Sequence, residues 1–488
     1  MKPEANVLVN PATLPTLTDQ QHTNRRICTT SSIQAILASA KSATPAGTRR
    51  ASTAAAVLPS LQFPITIPPF TKIMKVILAI NAGSSSVKIS AYTAEQSTSP
   101  QQIAEAQVSG LTAPPTKLTY SRYGQSIAKN KPLDQDKAND QDAAFSLLLD
   151  TLIQDGDLGE INSKSDIQIA CHRIVHGGDY SDSHIITPDT YHHLERLSDL
   201  APLHNGAALN IVASCIKQLP DAANMACFDS QFHSTIPTHI STYPINPAVA
   251  KNSHLRKYGF HGLSYAFITR SVAGFLGKEE GELNIIALHL GSGASACAIK
   301  GGKSWDTSMG LTPLAGLPGA TRSGSIDPSL VFHYASDVGK LSPSSTKHLH
   351  ISKAEEILNK QSGWKGLTGT TDFGKIASSS DPQHKLAFDL FVDRVCGFVG
   401  SYYVSMGGQV DALVFAGGIG EKSSRFRKEV VQQTGCLGFL MDEERNEGEL
   451  EEVVKDVGSA EGRHRVLVCR TDEQFEMARA GTEKRELW

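Results

Sequence analysis

The stretch KVILAINAGSSSVK, residues 75–88, starts as an apolar strand and then breaks into Asn81, a glycine and three serines. Gly83 allows a close backbone approach or a positive φ, and serine hydroxyls and successive backbone N–H groups can converge as donors on an anion. Lys88 adds a positive charge. This stretch alone leaves two interpretations open: a turn between two strands, because Asn and Gly often mark turns, or a loop that binds phosphate.

The same pattern recurs twice along the chain. Residues 285–295, IIALHLGSGAS, run as an apolar strand into one polar residue and a Gly/Ser turn, as residues 76–86 do. Residues 412–423, ALVFAGGIGEKS, place glycines before a helix predicted to begin near Glu421, where a nucleotide can lie against the backbone. The repetition predicts a duplicated unit with two phosphate-facing loops across a nucleotide cleft.

The length and the apolar patterning indicate the fold class. The chain has 488 residues, enough for two or more domains. Predicted strands and helices alternate, which is typical of an α/β fold. The predicted strands are 167–171, 224–228, 284–290, 411–416 and 466–470, and the predicted helices include 206–218 and 385–404.

The composition narrows the class of ligand. A net charge of −3 with 19% charged residues argues against nucleic acid or an anionic membrane as a partner, and no apolar run reaches the roughly 18 residues that span a bilayer. A small-molecule ligand is therefore expected. The eight cysteines are scattered without a C-x-x-C pair, which is typical of reduced thiols, and we expect a cytoplasmic protein.

Residues 1–73 differ from the rest of the chain. They are rich in Ala, Ser, Thr and Pro, contain only Glu4 and Asp19 as acids, and show no sustained periodicity, which predicts a disordered leader. Met74 directly precedes the first strand, so we favour a leader that is dispensable and not part of the mature protein. The arginines and the scarcity of acids leave a mitochondrial transit peptide as the minority alternative.

Polar side chains follow several predicted strands. Arg173 lies in CHRIVHGGD, Asp229 and His233 in CFDSQFHSTIP, His261 in YGFHG, Arg322 in ATRSGSIDP and Glu473 in TDEQ. A structural role is an alternative for these residues, because arginines commonly form surface ion pairs and aspartates commonly cap helices. A zinc site at Asp229 and His233 is disfavoured, since no third ligand follows. Together, cations, carboxylates and glycine loops are the inventory of phosphoryl transfer with Mg²⁺, whereas the P-loop, dinucleotide-binding and protein-kinase motifs are absent.

These motifs resemble those of the acetate kinase family. NAGSSSVK, CHRIVHGGD, APLHN, FDSQFHSTIP, YGFHG, HLGSG, DTSMGLTPLAG, TRSGSIDP, FAGGIGE and TDEQ occur in the family's order, from Met74 to about Arg479. The resemblance implies duplicated actin-like ATPase (ribonuclease H-like) α/β domains with the active site in the cleft between them. The N-terminal domain would be residues 74–232 plus 475–488, and the C-terminal nucleotide-binding domain residues 233–474. The resemblance also implies a homodimer.

The resemblance implies roles for the residues at matching positions. The catalytic residues would be Arg173, Asp229, His261 and Arg322, and the ligands of Mg²⁺ would be Asn81 and Glu473. The acid would bind at Arg173, Val175, Leu203, His204, Phe260 and Pro313. The nucleotide would contact Lys88, Leu288, His289, Leu290, Gly291, Ser292, Thr371, Asp372, Phe373, Gly417, Gly418, Ile419, Gly420 and Glu421.

The implied reaction is a reversible, Mg²⁺-dependent, in-line transfer of the γ-phosphoryl group of ATP to acetate, giving acetyl phosphate and ADP. Acetate is already ionised at neutral pH, so Asp229 is expected to position groups and to order Mg²⁺ or water, not to remove a proton. Two alternatives stay open. One is a propionate or butyrate kinase of the same family, because one methylene is worth only about 1–3 kcal/mol. The other is a non-catalytic ATP-binding module of the superfamily.

Overall fold

Two β-sheets with helices around them make up the part of the chain that the structure describes. This computed structural model covers residues 73–83, 85–112, 114–134, 137–197, 202–334, 340–343, 345 and 351–488. All of them fall in one unit, Phe70–Trp488. Apart from Ile73, the predicted leader lies outside the described residues.

The first sheet contains the hairpin that includes residues 75–88. Its strands are β1 (Lys75–Ala82), β2 (Ser86–Ala94), β3 (Gln101–Ser109), β4 (Lys117–Arg122), β5 (Gln125–Pro132), β6 (Ile167–Ile174), β7 (His184–Ile185) and β8 (Ala223–Phe228). Their spatial order is β5-β4-β3-β2-β1-β6-β8-β7. Strand β1 pairs antiparallel with β2 and parallel with β6. Residues 76–80 are all buried, as expected of a central strand covered on both faces.

The second sheet repeats this plan. Its strands are β9 (Asn284–Leu290), β10 (Ala294–Lys300), β11 (Lys303–Thr307), β12 (Ala412–Ala416), β13 (Val454–Asp456) and β14 (Arg465–Cys469), in the order β11-β10-β9-β12-β14-β13. Strand β9 pairs antiparallel with β10 and parallel with β12, as β1 does with β2 and β6. The predicted α/β fold with two related halves is confirmed. The strands of each sheet fall within one predicted domain, whose boundaries stay a prediction.

Helices surround both sheets. They are α1 (Gln141–Ile153), α2 (Pro188–Leu197), α3 (Pro202–Gln218), α4 (Thr238–Ser241), α5 (Pro247–Asn252), α6 (Gly262–Leu276), α7 (Leu330–Tyr334), α8 (Lys353–Lys360), α9 (Gly363–Thr368), α10 (Phe373–Ser378), α11 (Pro382–Ser405), α12 (Gly417–Lys422), α13 (Ser424–Gln433), α14 (Glu443–Glu447) and α15 (Glu473–Glu483). Helix α11 begins where Asp381 caps the amides of Gln383 and His384 and Pro382 occupies the first turn.

Most predicted elements are present, with shifted ends. The helix predicted at 385–404 spans Pro382–Ser405, and the one predicted at 206–218 begins four residues earlier, at Pro202. The helix predicted to begin near Glu421 begins at Gly417 instead, so that prediction is wrong by four residues. The glycines there are the first turn of α12 and do not precede it.

Two helices meet where the two halves of the fold come together. Helix α6 packs Tyr265, Ile268 and Val272 into a core shared with β9 and β12. Helix α15 packs Met477 in a core with β1 and β6. The rings of Phe267 and Phe475 are 5.9 Å apart, so α6 and α15 are in direct contact. The two helices therefore lie at the junction of the halves.

The described cysteines and helices relate to two further expectations, that the thiols are reduced and that no segment spans a membrane. The seven cysteines among the described residues are all free, and five of them are buried. No helix in the described part of the chain has both the length and the apolar character needed to cross a membrane.

Candidate active site

A cavity of about 640 Å³ opens between the two halves. The predicted site residues that line it are Asn81, Lys88, Arg173, His261, His289, Gly291, Ser292, Arg322, Gly417, Gly418, Glu421 and Glu473. Asn81 and Lys88 face each other across the first hairpin. The structure thus brings residues from both hairpin loops and from the third glycine-rich segment to one place, while the role of each residue stays a prediction.

Arg173, one residue before the end of β6, is held by two carboxylates. Its Nε lies 3.1 Å from Asp229 Oδ1 and its Nη2 lies 2.8 Å from Asp229 Oδ2, while its Nη1 lies 3.0 Å from Glu473 Oε2. Asp229 is 1% exposed and does not line the cavity. Both carboxylate oxygens of Asp229 bind Arg173, and the expected role of Asp229 in positioning groups and ordering Mg²⁺ or water stays a prediction.

The charges in this triad stabilise one another. Burial by itself lowers the pKa of Arg173, but the carboxylates of Asp229 and Glu473 raise it above its usual value. Burial raises the pKa of Glu473, yet the charge of Arg173 brings it below its usual value. Burial also raises the pKa of Asp229, and Arg173 opposes that rise. Because the guanidinium binds both oxygens of Asp229, we assign the carboxylate as ionised.

Arg322 has the opposite environment. It lies in the segment after β11, lines the cavity, and makes no side-chain hydrogen bond or ion pair to any residue in the described part of the chain. Burial alone shifts its pKa, lowering it to about 10. Arg322 thus stays a cation at neutral pH without a counter-ion among the described residues, and an anionic ligand would supply one.

His261 is held in a conformation that is rare for its residue type. It precedes α6 with φ 61° and ψ 22°, in the left-handed region. Its Nδ1 lies 2.8 Å from Ser295 Oγ, and its ring centroid lies 4.3 Å from that of His289. Burial, with the nearby His289 and two arginines, lowers the pKa of His261 well below 6.5. The imidazole is therefore neutral at pH 7 and can act as a hydrogen-bond donor or acceptor.

A second cavity of about 310 Å³ adjoins the first. Asn81, Arg173 and Arg322 line both cavities, so these three side chains stand between them. Val175, predicted to contact the acid, lines the smaller cavity. The smaller cavity has the position of a subsite for a second, smaller anion.

The other residues predicted to bind the acid do not line the smaller cavity, or their side chains lie outside the described part of the chain. Phe260 is 1% exposed and forms a small core with Tyr258 and Met309, against which Val175 packs. Pro313 is buried and lines neither cavity. Leu203 and His204 fall in α3, but their side chains lie outside the described part of the chain. Of this predicted set, Val175 and Arg173 line the smaller cavity, and Phe260 supports Val175 from behind.

The predicted adenosine segment is only partly accessible. Thr371 and Asp372 are exposed, and Asp372 caps α10 through the amides of Gly374 and Lys375. Phe373 is 7% exposed and packs among the aromatic residues of α11 and α13. The ring of Phe373 is therefore part of the core, and the contact of this segment with a nucleotide stays a prediction.

The glycine-rich segment at 417–420 touches the second hairpin. Gly417 has φ +73°, and a Cβ there would lie 2.7 Å from the carbonyl oxygen of Leu290. Only glycine permits this approach. Leu288 and Leu290 are buried in β9 and act as core residues, whereas Ile419 and Gly420 belong to α12. These residues shape the loop, and Gly291, Ser292, Gly417 and Gly418 line the cavity.

Several residues that line the cavities are not among the predicted site residues. Glu105 on β3 forms an ion pair of 2.9 Å with Lys88, and its signal in the sequence was an acid in the mixed polar and apolar strand QQIAEAQVS. Asn359 lines the smaller cavity, and its Oδ1 is buried without a hydrogen-bond partner. Arg470 and Gln474 line the larger cavity. No local pattern marked Asn359, which reaches the site only through the packing of α8.

The residues proposed for Mg²⁺ fit a site that is completed by substrate. No group of three or more His, Cys, Asp or Glu side chains among the described residues could hold a metal by itself. Glu473 accepts a hydrogen bond from Arg173 through Oε2, and the side-chain amide of Asn81 makes no hydrogen bond to a described residue. Mg²⁺ commonly takes one or two carboxylates and fills its shell with phosphate oxygens and water. Asn81 and Glu473 suit that mode.

The paired sheets and the cation-lined cavity between them define an actin-like ATPase fold with a site for anionic ligands. The chain belongs to the acetokinase family, whose sequence model matches residues 76–479. A probable acetate kinase of Chaetomium globosum is 63% identical over 454 residues, covering 85% of this chain and 99% of that protein.

Solved structures agree with this assignment. An acetate kinase of Porphyromonas gingivalis is 31% identical with a TM-score of 0.69, covering 83% of this chain and 98% of that one. A propionate kinase of Francisella tularensis is 33% identical with a TM-score of 0.72, with the same coverage of 83% and 98%.

Proposed function

We propose that this protein is a carboxylate kinase that transfers the γ-phosphoryl group of ATP reversibly to acetate, giving acetyl phosphate and ADP. The observation that carries this proposal is the position of Arg173 and Arg322, which line both the larger and the smaller cavity. Two guanidinium groups between a nucleotide-sized cavity and a small one can bind a phosphoryl group passing from one to the other.

In this proposal the larger cavity takes the nucleotide and the smaller one takes the acid. Lys88 and the loop residues Gly291 and Ser292 face the phosphates, and Val175 faces the methyl group of acetate. The carboxylate is already ionised, so the attack on phosphorus requires no general base. The work of the site is to hold both anions in line and to neutralise charge on the phosphoryl oxygens.

Asp229 has an indirect role in this proposal. It binds two nitrogens of Arg173 and has no exposure to the cavity. We therefore assign it as the residue that orients Arg173. Glu473 has both functions: one oxygen binds Arg173, and the other remains for Mg²⁺ beside Asn81. When bound, Mg²⁺ neutralises phosphate charge and orients the phosphate chain.

A second candidate substrate is propionate. It is favoured by the similarity to the Francisella tularensis propionate kinase and by the smaller cavity, whose volume of about 310 Å³ exceeds the needs of a two-carbon acid. One additional methylene changes the transition-state energy by only about 1–3 kcal/mol. The preference between the two acids is therefore a quantitative matter for measurement.

The test is to trap acyl phosphate with hydroxylamine, using ATP, Mg²⁺ and acetate, propionate or butyrate. We expect product with acetate at the highest kcat/KM, and a kcat that is lower by roughly 10²–10³-fold with Arg322→Ala. A higher kcat/KM with propionate would reassign the substrate. Binding of ATP without product from any acid would instead indicate a non-catalytic ATP-binding module.

The quaternary structure and the compartment belong to the same proposal. We expect a homodimer, as the family resemblance implies, and light scattering on the purified full chain tests this by mass. The buried free cysteines suit a reducing compartment such as the cytoplasm. Imaging of a C-terminal fusion distinguishes the cytoplasm from mitochondrial targeting through residues 1–73.

A further inference from the structure

A buried series of three side chains ends at His261. The phenol oxygen of Tyr265 lies 2.6 Å from Ser295 Oγ, and Ser295 Oγ lies 2.8 Å from His261 Nδ1. Tyr265 and Ser295 are 0% exposed. Neither residue lines the cavity, so neither can contact substrate, and any effect on the reaction passes through His261.

The protons in this series can be placed by elimination. If Tyr265 donates to Ser295, the serine hydroxyl can donate to Nδ1 of His261, and both hydroxyl protons are used. If Nδ1 carried the proton and donated to Ser295, one buried hydroxyl proton would have no acceptor among the described residues. An unsatisfied buried donor costs about 1–3 kcal/mol. The satisfied arrangement leaves Nδ1 as an acceptor and places the ring proton on Nε2.

The other ring nitrogen faces the reacting groups. A Cβ on Gly293 would lie 3.4 Å from His261 Nε2, and both residues line the larger cavity with Arg322. No hydrogen bond joins Nε2 to a residue in the described part of the chain. A neutral imidazole with its proton on Nε2 therefore presents one N–H donor to the cavity beside the arginines.

We propose that Ser295, oriented by Tyr265, is a positioning residue that keeps neutral His261 in the Nε2–H tautomer, so that Nε2 donates to the phosphoryl group during transfer. This inference rests on the proposed phosphoryl-transfer function. It explains why the site tolerates a histidine in the left-handed region: the backbone conformation aims one nitrogen at Ser295 and the other at the cavity.

Kinetics of a double-mutant cycle test the coupling. In the wild-type background, Ser295→Ala should lower kcat about tenfold and change KM for acetate and ATP less than twofold. In a His261→Gln background, whose amide nitrogen replaces Nε2–H without needing Ser295, the same substitution should change kcat less than twofold, because coupled residues are non-additive. Equal losses of kcat in both backgrounds would overturn the inference, since Ser295 would then act independently of His261.

A matched pair of tyrosines provides the control. Tyr265→Phe should lower kcat severalfold, whereas Tyr402→Phe, which removes a buried hydroxyl without a hydrogen-bond partner, should leave kcat unchanged. Indistinguishable kcat values for these two variants would contradict a role for Tyr265. This pair also keeps the inference testable if Ser295→Ala does not fold.

The tautomer itself has a spectroscopic signature. In full-length protein labelled with ¹⁵N-histidine, with the His261→Gln spectrum as the assignment control, Nε2 of His261 should show the shift of a protonated nitrogen and Nδ1 that of an unprotonated one. The reverse pattern would refute the inference. This measurement needs no turnover, so it is independent of the outcome of the acyl phosphate assay, which tests the proposed function.

Discussion

Arg173 and Arg322 line the same two cavities, but the surroundings of their charges are opposite. Arg173 comes from the first half of the fold and binds the carboxylates of buried Asp229 and partly buried Glu473, which raise its pKa. Arg322 comes from the second half, has no counter-ion among the described residues, and has a pKa lowered by burial to about 10. The first half is therefore preorganised before substrate arrives, whereas the second half is completed only by an anion.

The largest effect is expected at the arginine without a counter-ion. Arg322→Ala should lower kcat by roughly 10²–10³-fold, because it removes a group that stabilises transferring charge. It should not lower the midpoint of thermal unfolding, since it also removes a partly buried cation that nothing in the described protein balances. Steady-state kinetics and calorimetry check the two expectations. A clear loss of thermal stability would break the comparison, because Arg322 would then have a protein partner.

The matching change in the first half should reduce both stability and activity. Asp229→Asn leaves Arg173 with Glu473 alone, and disrupting a buried ion pair costs roughly 3 kcal/mol of unfolding free energy. We expect kcat to fall by about 10–100-fold because the guanidinium loses its orientation. Urea unfolding and kinetics measure both. Unchanged stability with lost activity would point to a direct role for Asp229 in the reaction.

Two glycines allow a tight contact between backbone atoms to be compared with a contact at the surface that faces the ligand. A Cβ on Gly262 would overlap the carbonyl of Asp229, which also accepts a 2.8 Å hydrogen bond from the Gly262 amide. A Cβ on Gly293 would overlap the end of the Arg322 side chain, which can move. Gly262→Ala should therefore destabilise the fold by about 2 kcal/mol or more. Gly293→Ala should leave stability nearly unchanged and raise KM for ATP.

Calorimetry and kinetics on both glycine variants are the measurement. If Gly293→Ala were the more destabilising of the two, the loop at 291–293 would be a rigid structural element and not a surface shaped for a ligand.

Little change is expected in the dependence of kcat on pH. Because the pKa of His261 lies well below 6.5, lowering the pH from 7.5 to 6 should not protonate it, and kcat should stay constant within about twofold. An inflection near pH 6.5 that disappears in His261→Gln would show that the ring is charged in the reacting complex.

The free energy of unfolding, unlike kcat, should depend on pH. His172, His176 and His233 are buried with pKa values lowered to about 4. Below pH 6.5 these three histidines bind protons in the unfolded chain, but in the folded protein they stay neutral until the pH approaches 4. The free energy of unfolding should therefore fall as the pH drops from 6.5 towards 4, by roughly 1.4 kcal/mol per pH unit for each ring. Urea unfolding at several pH values measures the slope, and a flat profile would contradict the assigned burial.

Local sequence patterns were informative where chemistry follows a strand directly. Asn81, Arg173 and Glu473 were identifiable because each polar group comes at or just after the end of an apolar strand, and strand ends of related halves converge on one cleft. The core position of the Phe373 ring could not be predicted, because its place beside Asp372 in the sequence says nothing of the aromatic residues around it. Asn359 was missed because it reaches the smaller cavity through packing of a remote helix.

The amino-acid sequence by itself determined the α/β class, the duplication and the types of residue in the site, because apolar periodicity and strand-to-glycine breaks are local properties. Only the tertiary structure decided which charges are balanced. Asp229 and Glu473 are 244 residues apart along the chain, as their numbers show, yet both bind Arg173, while Arg322 was left without a partner among the described residues. Ion pairing depends on distances of a few ångström between remote segments, and the fold sets those distances.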